Sequence, residues 1–329
     1  MKLSWMNIAM GFFLAGVLTA PTWATETAVP GTVNYVEGQV TIGEQTLDTH
    51  AVGTALRPDE SLTTNAGKAE ILLTPGVFLR VNDQSSVKLV AGGLTNTEVA
   101  VDQGQAMVEV TEIHPENNLR IIEDGVSTQL RKTGLYGFDA ATNQVRVFSG
   151  EAAVFEGDRE VTVKGDHQVD FNVQGKLKAE KFDKQQYQES DLYRWSSLRS
   201  SYLAEANVDA ARVYLANGWY GPGWVGAGWY WDPWFGAYTF IPGNGIFYSP
   251  FGFGFFSPLV VVRSPLFFGR PFVHQFGPAF HPNAVFLKPG IGGGFRSAPA
   301  MSGHGMVAHS GGFGGSVHGG GGGHAMGRR

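Results

Sequence analysis

The sequence predicts an all-β domain, because apolar and polar residues alternate with period two in a series of short segments bounded by turns. The alternation is clearest at Val145-Arg146-Val147, at Val161-Thr162-Val163 and at Val169-Asp170-Phe171-Asn172-Val173. Strands of this kind bury one face and expose the other, as in a sandwich or a short solenoid. We therefore predict a β-sandwich or short β-solenoid domain over residues 25–178.

A recurring unit is the second indication of this fold class. Each copy is a turn glycine, then Gln or Glu, then a small apolar residue that opens a strand-like run. The three copies are Val36-Glu37-Gly38-Gln39-Val40, Asp102-Gln103-Gly104-Gln105-Ala106 and Phe148-Ser149-Gly150-Glu151-Ala152. A repeated turn-then-strand unit indicates an all-β module. Modules of this class more often bind a ligand than catalyse a reaction.

The first 24 residues have the pattern of a secretory signal peptide. Lys2 precedes an apolar run from Ile8 to Ala20, and Thr22-Trp23-Ala24 places small residues at positions −3 and −1 of a cleavage site. The alternative is an uncleaved anchor, but the run is shorter than the roughly 20 residues that span a bilayer. We expect cleavage after Ala24, a periplasmic or secreted protein, and no integral membrane segment after cleavage.

Composition excludes several classes of site. The chain has no cysteine, so disulfides, thiol nucleophiles and thiolate metal sites are excluded. The net charge of −5 is unevenly distributed: the last acidic residue is Asp232, and six Lys or Arg residues follow it. The cationic part could contact an anionic envelope polymer, although dispersed charge that only maintains solubility is the alternative we favour. Export and the acidic first part argue against nucleic-acid binding.

The pattern changes after the β domain. Gly and Pro are absent from residues 183–206, where Leu192, Trp195, Leu198 or Arg199, and Tyr202 follow helical spacing. This spacing predicts a helical connector over residues 179–216. Residues 217–289 interleave Gly, Pro and aromatic residues, and residues 290–329 form a Gly/His-rich tail. We expect this C-terminal region to be irregular and largely disordered.

Clustered aromatic residues are the candidate ligand-binding site. Their flat faces could stack on sugar rings or cations, whereas the alternative is that they pack together as a small core. The candidate residues are Trp219, Tyr220, Trp224, Trp229, Tyr230, Trp231 and Trp234.

Sequence motifs give no support for catalysis or for a resident cofactor. The chain contains no Gly-x-Ser-x-Gly, no phosphate-binding loop and no His-Glu-x-x-His motif. The metal candidates in the tail are His304, His309, His318 and His324, whose intervals match no fixed zinc motif. We predict no catalytic residue, no cofactor and no metal site.

A series of short motifs runs from Gly38 to Ala152: a Gly-x-Val opening, a modified Leu-x-x-Gly-Asp stretch, a Glu-led strand and turn, and later Gly-containing units. The residues that carry them are Gly38, Asp59, Thr64, Gly76, Gly104, Thr133, Gly134, Phe138 and Gly150. In this order the motifs resemble the periplasmic domain of FecR-type sensor proteins, and the resemblance implies structural roles for these residues.

The resemblance implies a FecR-like fold in an exported protein, similar to FecR-domain proteins found in bacteria such as the acidobacteria. FecR-type regulators relay the occupancy of an iron-siderophore transporter to a sigma factor through a membrane helix. This sequence has a predicted signal peptide where those regulators have the helix.

Together, the residues and the resemblance predict a non-enzymatic binding or scaffold protein of the cell envelope, with an envelope protein or glycan as its partner. One alternative is a structural surface or matrix component that self-associates through its low-complexity half. Another is an accessory in FecR-type iron-responsive signalling.

Overall fold

The computed structural model of the chain describes residues 28–49, 51–172, 176–216 and 227–263. Fifteen strands of this part form one sheet. They are β1 (Thr32–Ile42), β2 (Gln45–Leu47), β3 (Ser61–Leu72), β4 (Val77–Val81), β5 (Ser85–Gly93), β6 (Asn96–Gln103), β7 (Gln105–Val110), β8 (Leu119–Glu123), β9 (Val126–Leu130), β10 (Gly134–Asp139), β11 (Gln144–Ser149), β12 (Glu151–Glu156), β13 (Arg159–Lys164), β14 (His167–Asp170) and β15 (Glu180–Lys181).

A 3₁₀ turn at Pro115–Asn117 lies in the connection between β7 and β8, and helices and two small hairpins follow the large sheet. These elements are α1 (Lys184–Gln188), α2 (Asp191–Ala216), β16 (Gly228–Asp232), β17 (Ala237–Ile241), β18 (Ile246–Tyr248), β19 (Gly254–Phe256) and α3 (Pro258–Arg263). Strands β16 and β17 pair with each other, as do β18 and β19.

The large sheet folds back on itself into two layers. One layer, which we call the open layer, contains β2, the end of β1, the start of β3, and then β5, β6, β8, β9, β12 and β13. The other, the covered layer, contains the start of β1, the end of β3, and then β4, β7, β10, β11, β14 and β15. All pairs are antiparallel except β6 with β8.

The repeated glycines lie where the chain passes from one layer to the other. Gly38 lies within β1, Gly104 joins β6 to β7, and Gly150 joins β11 to β12. Their φ angles are +70°, +72° and +95°, a region that L-residues rarely adopt. A Cβ at Gly150 would lie 2.3 Å from Tyr136 Oη, and one at Gly104 would lie 2.2 Å from Ser85 Oγ. The recurring unit is therefore the corner of the sandwich.

One hydrophobic cluster fills the space between the layers. Val40, Ile121 and Val154 of the open layer share it with Leu79 and Val108 of the covered layer, and each is at most 2% exposed. Because side chains alternate across a strand, the neighbours of these residues lie on the two outer faces. The predicted alternation is confirmed at Val145 and Val147 and at Val161 and Val163, which point to this core.

Helix α2 and the C-terminal hairpins lie against the outer face of the covered layer. Phe78 of β4 packs among Trp229, Phe240 and Phe255 in one cluster. Further along the face, a second cluster joins residues of β7, β10 and β11 to the start of α2; its buried members are Met107, Leu135, Phe148, Leu192 and Trp195. The central strands of the covered layer, β4, β7 and β10, are consequently buried on both faces.

The all-β prediction for the first part of the chain is confirmed, and the strand order favours the sandwich among the two predicted architectures. In the region expected to be irregular, residues 227–263 form two hairpins and a short helix. Residues 1–27, 217–226 and 264–329 lie outside the described residues, and so do the predicted signal peptide and tail. None of the described helices is long and apolar enough to cross a bilayer.

The corner geometry predicts that Gly150→Ala is much more destabilising than Gly157→Ala. Both glycines have positive φ, but a Cβ at Gly157 would meet no atom within 4 Å. We expect a loss of about 1 kcal/mol in unfolding free energy for Gly157→Ala and about 3 kcal/mol for Gly150→Ala. Urea unfolding of the two variants measures this, and equal losses would contradict the role of the corner.

Candidate functional site

Buried charges lie in the middle of the covered layer's outer face. Arg80 of β4 donates from Nε to Glu70 Oε2 of β3 over 2.9 Å, and from Nη1 to Glu109 Oε2 of β7. All three side chains are fully buried. An ionised group in such a place requires a partner of opposite charge, because it has lost its hydration.

Helix α2 completes this charge network. Arg199 Nη2 donates to Glu70 Oε1 over 2.8 Å, and Ser200 Oγ donates to Glu109 Oε1 over 2.8 Å. The network therefore contains two carboxylates and two guanidinium groups, and its charges balance. Because the helix supplies one of the two cations, the sheet alone would leave a carboxylate without its partner.

Asn34 of β1 connects the network to the C-terminal hairpin. Its Nδ2 donates to Glu70 Oε1 over 3.0 Å and to the Tyr238 carbonyl over 2.9 Å. The Tyr238 N–H donates back to Asn34 Oδ1 over 2.7 Å. Strand β1, helix α2 and the β16–β17 hairpin are thus all linked to the Glu70 carboxylate, the hairpin through Asn34.

The two carboxylates respond differently to their surroundings. Burial by itself would raise the pKa of Glu70, but the adjacent Arg199 and Arg80 outweigh it and hold that pKa below its usual value. Burial raises the pKa of Glu109, which contacts only one of the two arginines. The second guanidinium group is the physical difference between them.

Aromatic rings surround Arg199 on the helix side. Its guanidinium carbon lies 4.1 Å from the centroid of the Tyr35 ring and 5.2 Å from that of Tyr202. Trp195, one turn earlier, donates from Nε1 to Glu37 Oε2 over 2.9 Å. Glu37 precedes the first corner glycine, so the repeated unit also supplies a contact to the helix.

The structure separates the residues of the predicted tryptophan site. Trp229 is 8% exposed and packs edge-on against Phe78, with ring centroids 5.0 Å apart. Trp231 is partly buried beside Tyr238, and the Tyr230 ring lies 5.1 Å from that of Tyr214. Trp234 is 49% exposed at the β16–β17 turn. Trp219, Tyr220 and Trp224 lie outside the described residues, and the ligand role of the set stays a prediction.

The remaining FecR-motif residues occupy turns and close crossings. Asp59 has φ +68° just before β3, and its N–H donates to the Leu89 carbonyl. Buried Thr64 donates from Oγ1 to the Asn82 carbonyl. The other placements are Gly76 with φ +83° between β3 and β4, exposed Thr133 and buried Gly134 at the Gly150 corner, and Phe138 in the core.

The outer face of the open layer, which we call the open face, carries two matched rows of side chains. Strand pairing places the two rows of outward-facing side chains next to each other across five strands. The rows contain small, polar and charged side chains and a few apolar ones. The row that starts on β5 is Lys88, Ala100, Ile122, Ser127, Phe155 and Glu160; the row that starts on β6 is Glu98, Arg120, Gln129, Ala153 and Thr162.

Contacts within the open face hold its polar groups in position. The Arg120 guanidinium lies 5.5 Å from the Phe155 ring centroid, and its Nε donates to Asn118 Oδ1 over 3.1 Å. Gln129 Nε2 donates to the same oxygen over 3.2 Å. Rigid, ordered donors on a sheet lose little conformational entropy when they bind a partner.

Glu123 is a buried carboxylate outside the charge network. It is 1% exposed at the end of β8, points to the core side, and neither of its oxygens has a hydrogen-bond partner of ordinary length and angle among the described residues. Burial and the nearby Asp139 raise its pKa to about 8, while Arg146 and the Asp139 backbone act in the opposite direction. The group is therefore protonated in the folded protein at neutral pH.

Two shallow concavities among the described residues have volumes of about 320 and 470 Å³. The first is lined mainly by apolar atoms near Leu259 and Val260. In the second, Asp166 is paired with Lys184 at 2.8 Å, and Asp183 caps α1. No group of three or more metal-ligating side chains occurs in the described ranges; His304, His309, His318 and His324 lie outside them.

Sequence reasoning missed the charge network. Arg80 stands in Val77-Phe78-Leu79-Arg80-Val81, where the other four side chains are all apolar. A lone cation in a strand that is apolar on both faces indicates a buried partner of opposite charge. The partner's identity required the register, which places Glu70 directly beside Arg80.

Comparison with known proteins gives one family and a weak structural likeness. Residues 59–158 match the family described as FecR protein. Two crystal structures from Parabacteroides distasonis, both described as a "putative anti-sigma factor", are similar at 14% and 13% identity, with TM-scores of 0.34 and 0.33. Each match covers 39% of this chain and 62% of the other chain. No curated protein matches.

The charge network predicts that Arg199→Met is far more destabilising than Lys68→Met. Arg199→Met leaves Glu70 buried with one cation fewer, for which we expect a loss of about 3–5 kcal/mol. Lys68 also joins β3 to α2, through Asp191 at 2.7 Å, but that carboxylate is 69% exposed. Its removal should cost less than about 1 kcal/mol. Denaturant unfolding measures both, and similar losses would refute the prediction.

The buried Glu123 predicts a pH-dependent gain of stability for Glu123→Gln. An acid whose pKa is raised on folding loses stability as the pH rises from its unfolded pKa near 4.5 to its folded pKa of about 8. Glutamine lacks this loss, so the variant's advantage should grow between pH 5 and pH 9 by on the order of 4 kcal/mol. Thermal unfolding across this range tests it. Glu116→Gln, at an exposed position, is the control, and an advantage independent of pH would be the contrary result.

Proposed function

We propose that this FecR-domain protein is a non-enzymatic binding module of the bacterial cell envelope, and that its open face contacts an envelope protein or glycan. The FecR match over residues 59–158 supports a FecR-type module. The compartment rests on the predicted signal peptide at residues 1–24.

The difference between the two outer faces carries this proposal. The covered layer buries Phe78 and Arg80 beneath α2 and the C-terminal hairpins. On the opposite side, Lys88, Arg120 and Gln129 are only partly buried. Because the chain covers one face of the sandwich and, among the described residues, leaves the other uncovered, the open face is the one we assign to a partner.

The chemistry of the open face fits an extended, polar partner. Arg120 and Gln129 lie in one row and offer hydrogen-bond donors, and Ser127 in the neighbouring row offers a hydroxyl group. Ile122 and Phe155 add apolar area on the neighbouring row. A sheet surface of this composition, which neither of the two concavities enters, suits a glycan strand or the surface of another protein better than a small molecule, which prefers a concave site.

The described residues offer little to an enzymatic mechanism. In the larger concavity, Asp166, Lys184 and Asp183 are already engaged in an ion pair and a helix cap. The isolated Glu123 is buried within the sandwich, where a substrate does not reach it. These observations favour binding over catalysis.

Charge variants of the open face test the function. Lys88→Glu combined with Gln129→Glu places two negative charges on this face without removing a core side chain, so we expect at least about tenfold weaker binding to the envelope partner. Co-sedimentation with purified peptidoglycan, and in parallel capture of outer-membrane proteins, measures binding and separates the two partner classes.

Trp234→Ala is the matched control for this experiment. Trp234 is the most exposed tryptophan of the predicted cluster among the described residues, whereas Trp229 is buried, so its removal would also destabilise the fold. If Trp234→Ala abolishes binding and the open-face variant does not, the aromatic region is the site and the proposal is wrong. Absence of binding to either envelope fraction would also refute it.

A further inference from the structure

We propose that β13, the free edge of the open layer, pairs with β13 of a second copy of this chain, so that two open faces become one continuous surface. β13 ends the strand order of the sheet and pairs only with β12 among the described strands. An unpaired edge offers a row of N–H and C=O groups to another strand. This inference does not depend on what the open face binds.

The register of β12 and β13 determines which backbone groups face the free edge. Glu156 and Arg159 flank a two-residue turn, a position at which the closing pair is hydrogen-bonded. The Gly165 N–H donates to the Gly150 carbonyl, so Gly165, an odd-numbered residue like Arg159, also bonds toward the β12 side. Residues 159, 161 and 163 therefore bond to β12, and Glu160, Thr162 and Lys164 direct their backbone groups outward.

One antiparallel register uses all three outward residues. With a two-fold axis at Thr162, Thr162 faces its own copy, and Glu160 faces Lys164 of the second chain in both directions. Registers shifted by two residues in either direction pair fewer of these residues across the junction, and they place a charged side chain opposite Thr162. A symmetric pairing of one edge with itself also closes the assembly at two copies.

The side chains on β13 are self-complementary in this register. Glu160, Thr162 and Lys164 are exposed, and opposite charges that face each other across strands are favourable. Val161 is partly buried against the core and Val163 is fully buried. In the dimer, Val161 of one chain faces Val163 of the other, which continues the hydrophobic core across the junction.

Charged residues on an edge strand commonly prevent edge pairing, and β13 carries such charges. Glu160 also contacts Arg131 of the same chain at 2.8 Å. However, both residues of this pair are substantially exposed, so exchanging it for a cross-strand partner costs little. The edge therefore rejects strands of unmatched charge and accepts a copy of itself.

Charge reversal tests the register in the full chain. Glu160→Lys and Lys164→Glu each place like charges opposite each other twice, so either should weaken the dimer by roughly tenfold or more. The combined Glu160→Lys/Lys164→Glu variant restores both opposite-charge pairs and should dimerise like the original chain. Sedimentation equilibrium measures the three dimer constants together with that of the unsubstituted chain.

A cysteine placed at the two-fold axis provides a second readout. The chain has no cysteine, so Thr162→Cys introduces the single thiol. Hydrogen-bonded partners on antiparallel strands have Cα atoms about 5.5 Å apart, which is within the range of a disulfide. Mild oxidation should link most of the dimer through residue 162. Thr46→Cys on the exposed β2 edge at the other end of this layer is the control for random collision.

The outcomes separate the proposal from its competitors. Rescue by the double reversal together with selective crosslinking at residue 162 supports it. A monomeric full chain, a dimer that the single reversals leave unchanged, or crosslinking no greater than that of Thr46→Cys overturns it; an unchanged dimer would place association elsewhere in the chain.

Discussion

The network of Glu70, Arg80, Glu109 and Arg199 is the constraint on which the rest of the fold depends. Removing four charged side chains from water is costly, and replacing such a set with apolar residues is often neutral or stabilising. The network therefore determines where α2 and the hairpin lie on the sheet more than it adds to the net stability of the fold. Because only Arg199 completes the charge balance on Glu70, α2 must lie in one orientation on the sheet, and Asn34 fixes the hairpin beside it.

This fixed orientation makes the two faces of the sandwich chemically different. Beneath α2, the outer face of the covered layer is buried and lined with aromatic rings such as Phe78 and Phe148. On the open face, Arg120 and Gln129 stay at the surface and share Asn118 as a hydrogen-bond acceptor. The binding role proposed for the open face and the pairing proposed for β13 both rest on this asymmetry, since among the described residues one layer is covered and the other retains a face and an edge.

The sequence allowed the all-β fold to be predicted because alternation has a period that only strands produce, and residues such as Val161 and Val163 do point to the core. It also located the corners, since Gly38, Gly104 and Gly150 each require a backbone that other residues rarely adopt. The buried charges could not be predicted as a set. Glu70 and Glu109 are 39 positions apart in the sequence, and only strand register brings both to Arg80.

By itself, the sequence determined the strand periodicity, the corner glycines, the helical stripe that includes Trp195 and the FecR resemblance, because each depends on neighbouring residues or local conformation. Tertiary structure alone decided that Trp229 is buried while Trp234 is exposed, and that Arg199 of the stripe is a partner of Glu70. It also decided which face of the sandwich α2 and the hairpins cover and which the described residues leave uncovered. Burial and charge pairing depend on segments far apart in the chain, and no local pattern encodes which of them meet.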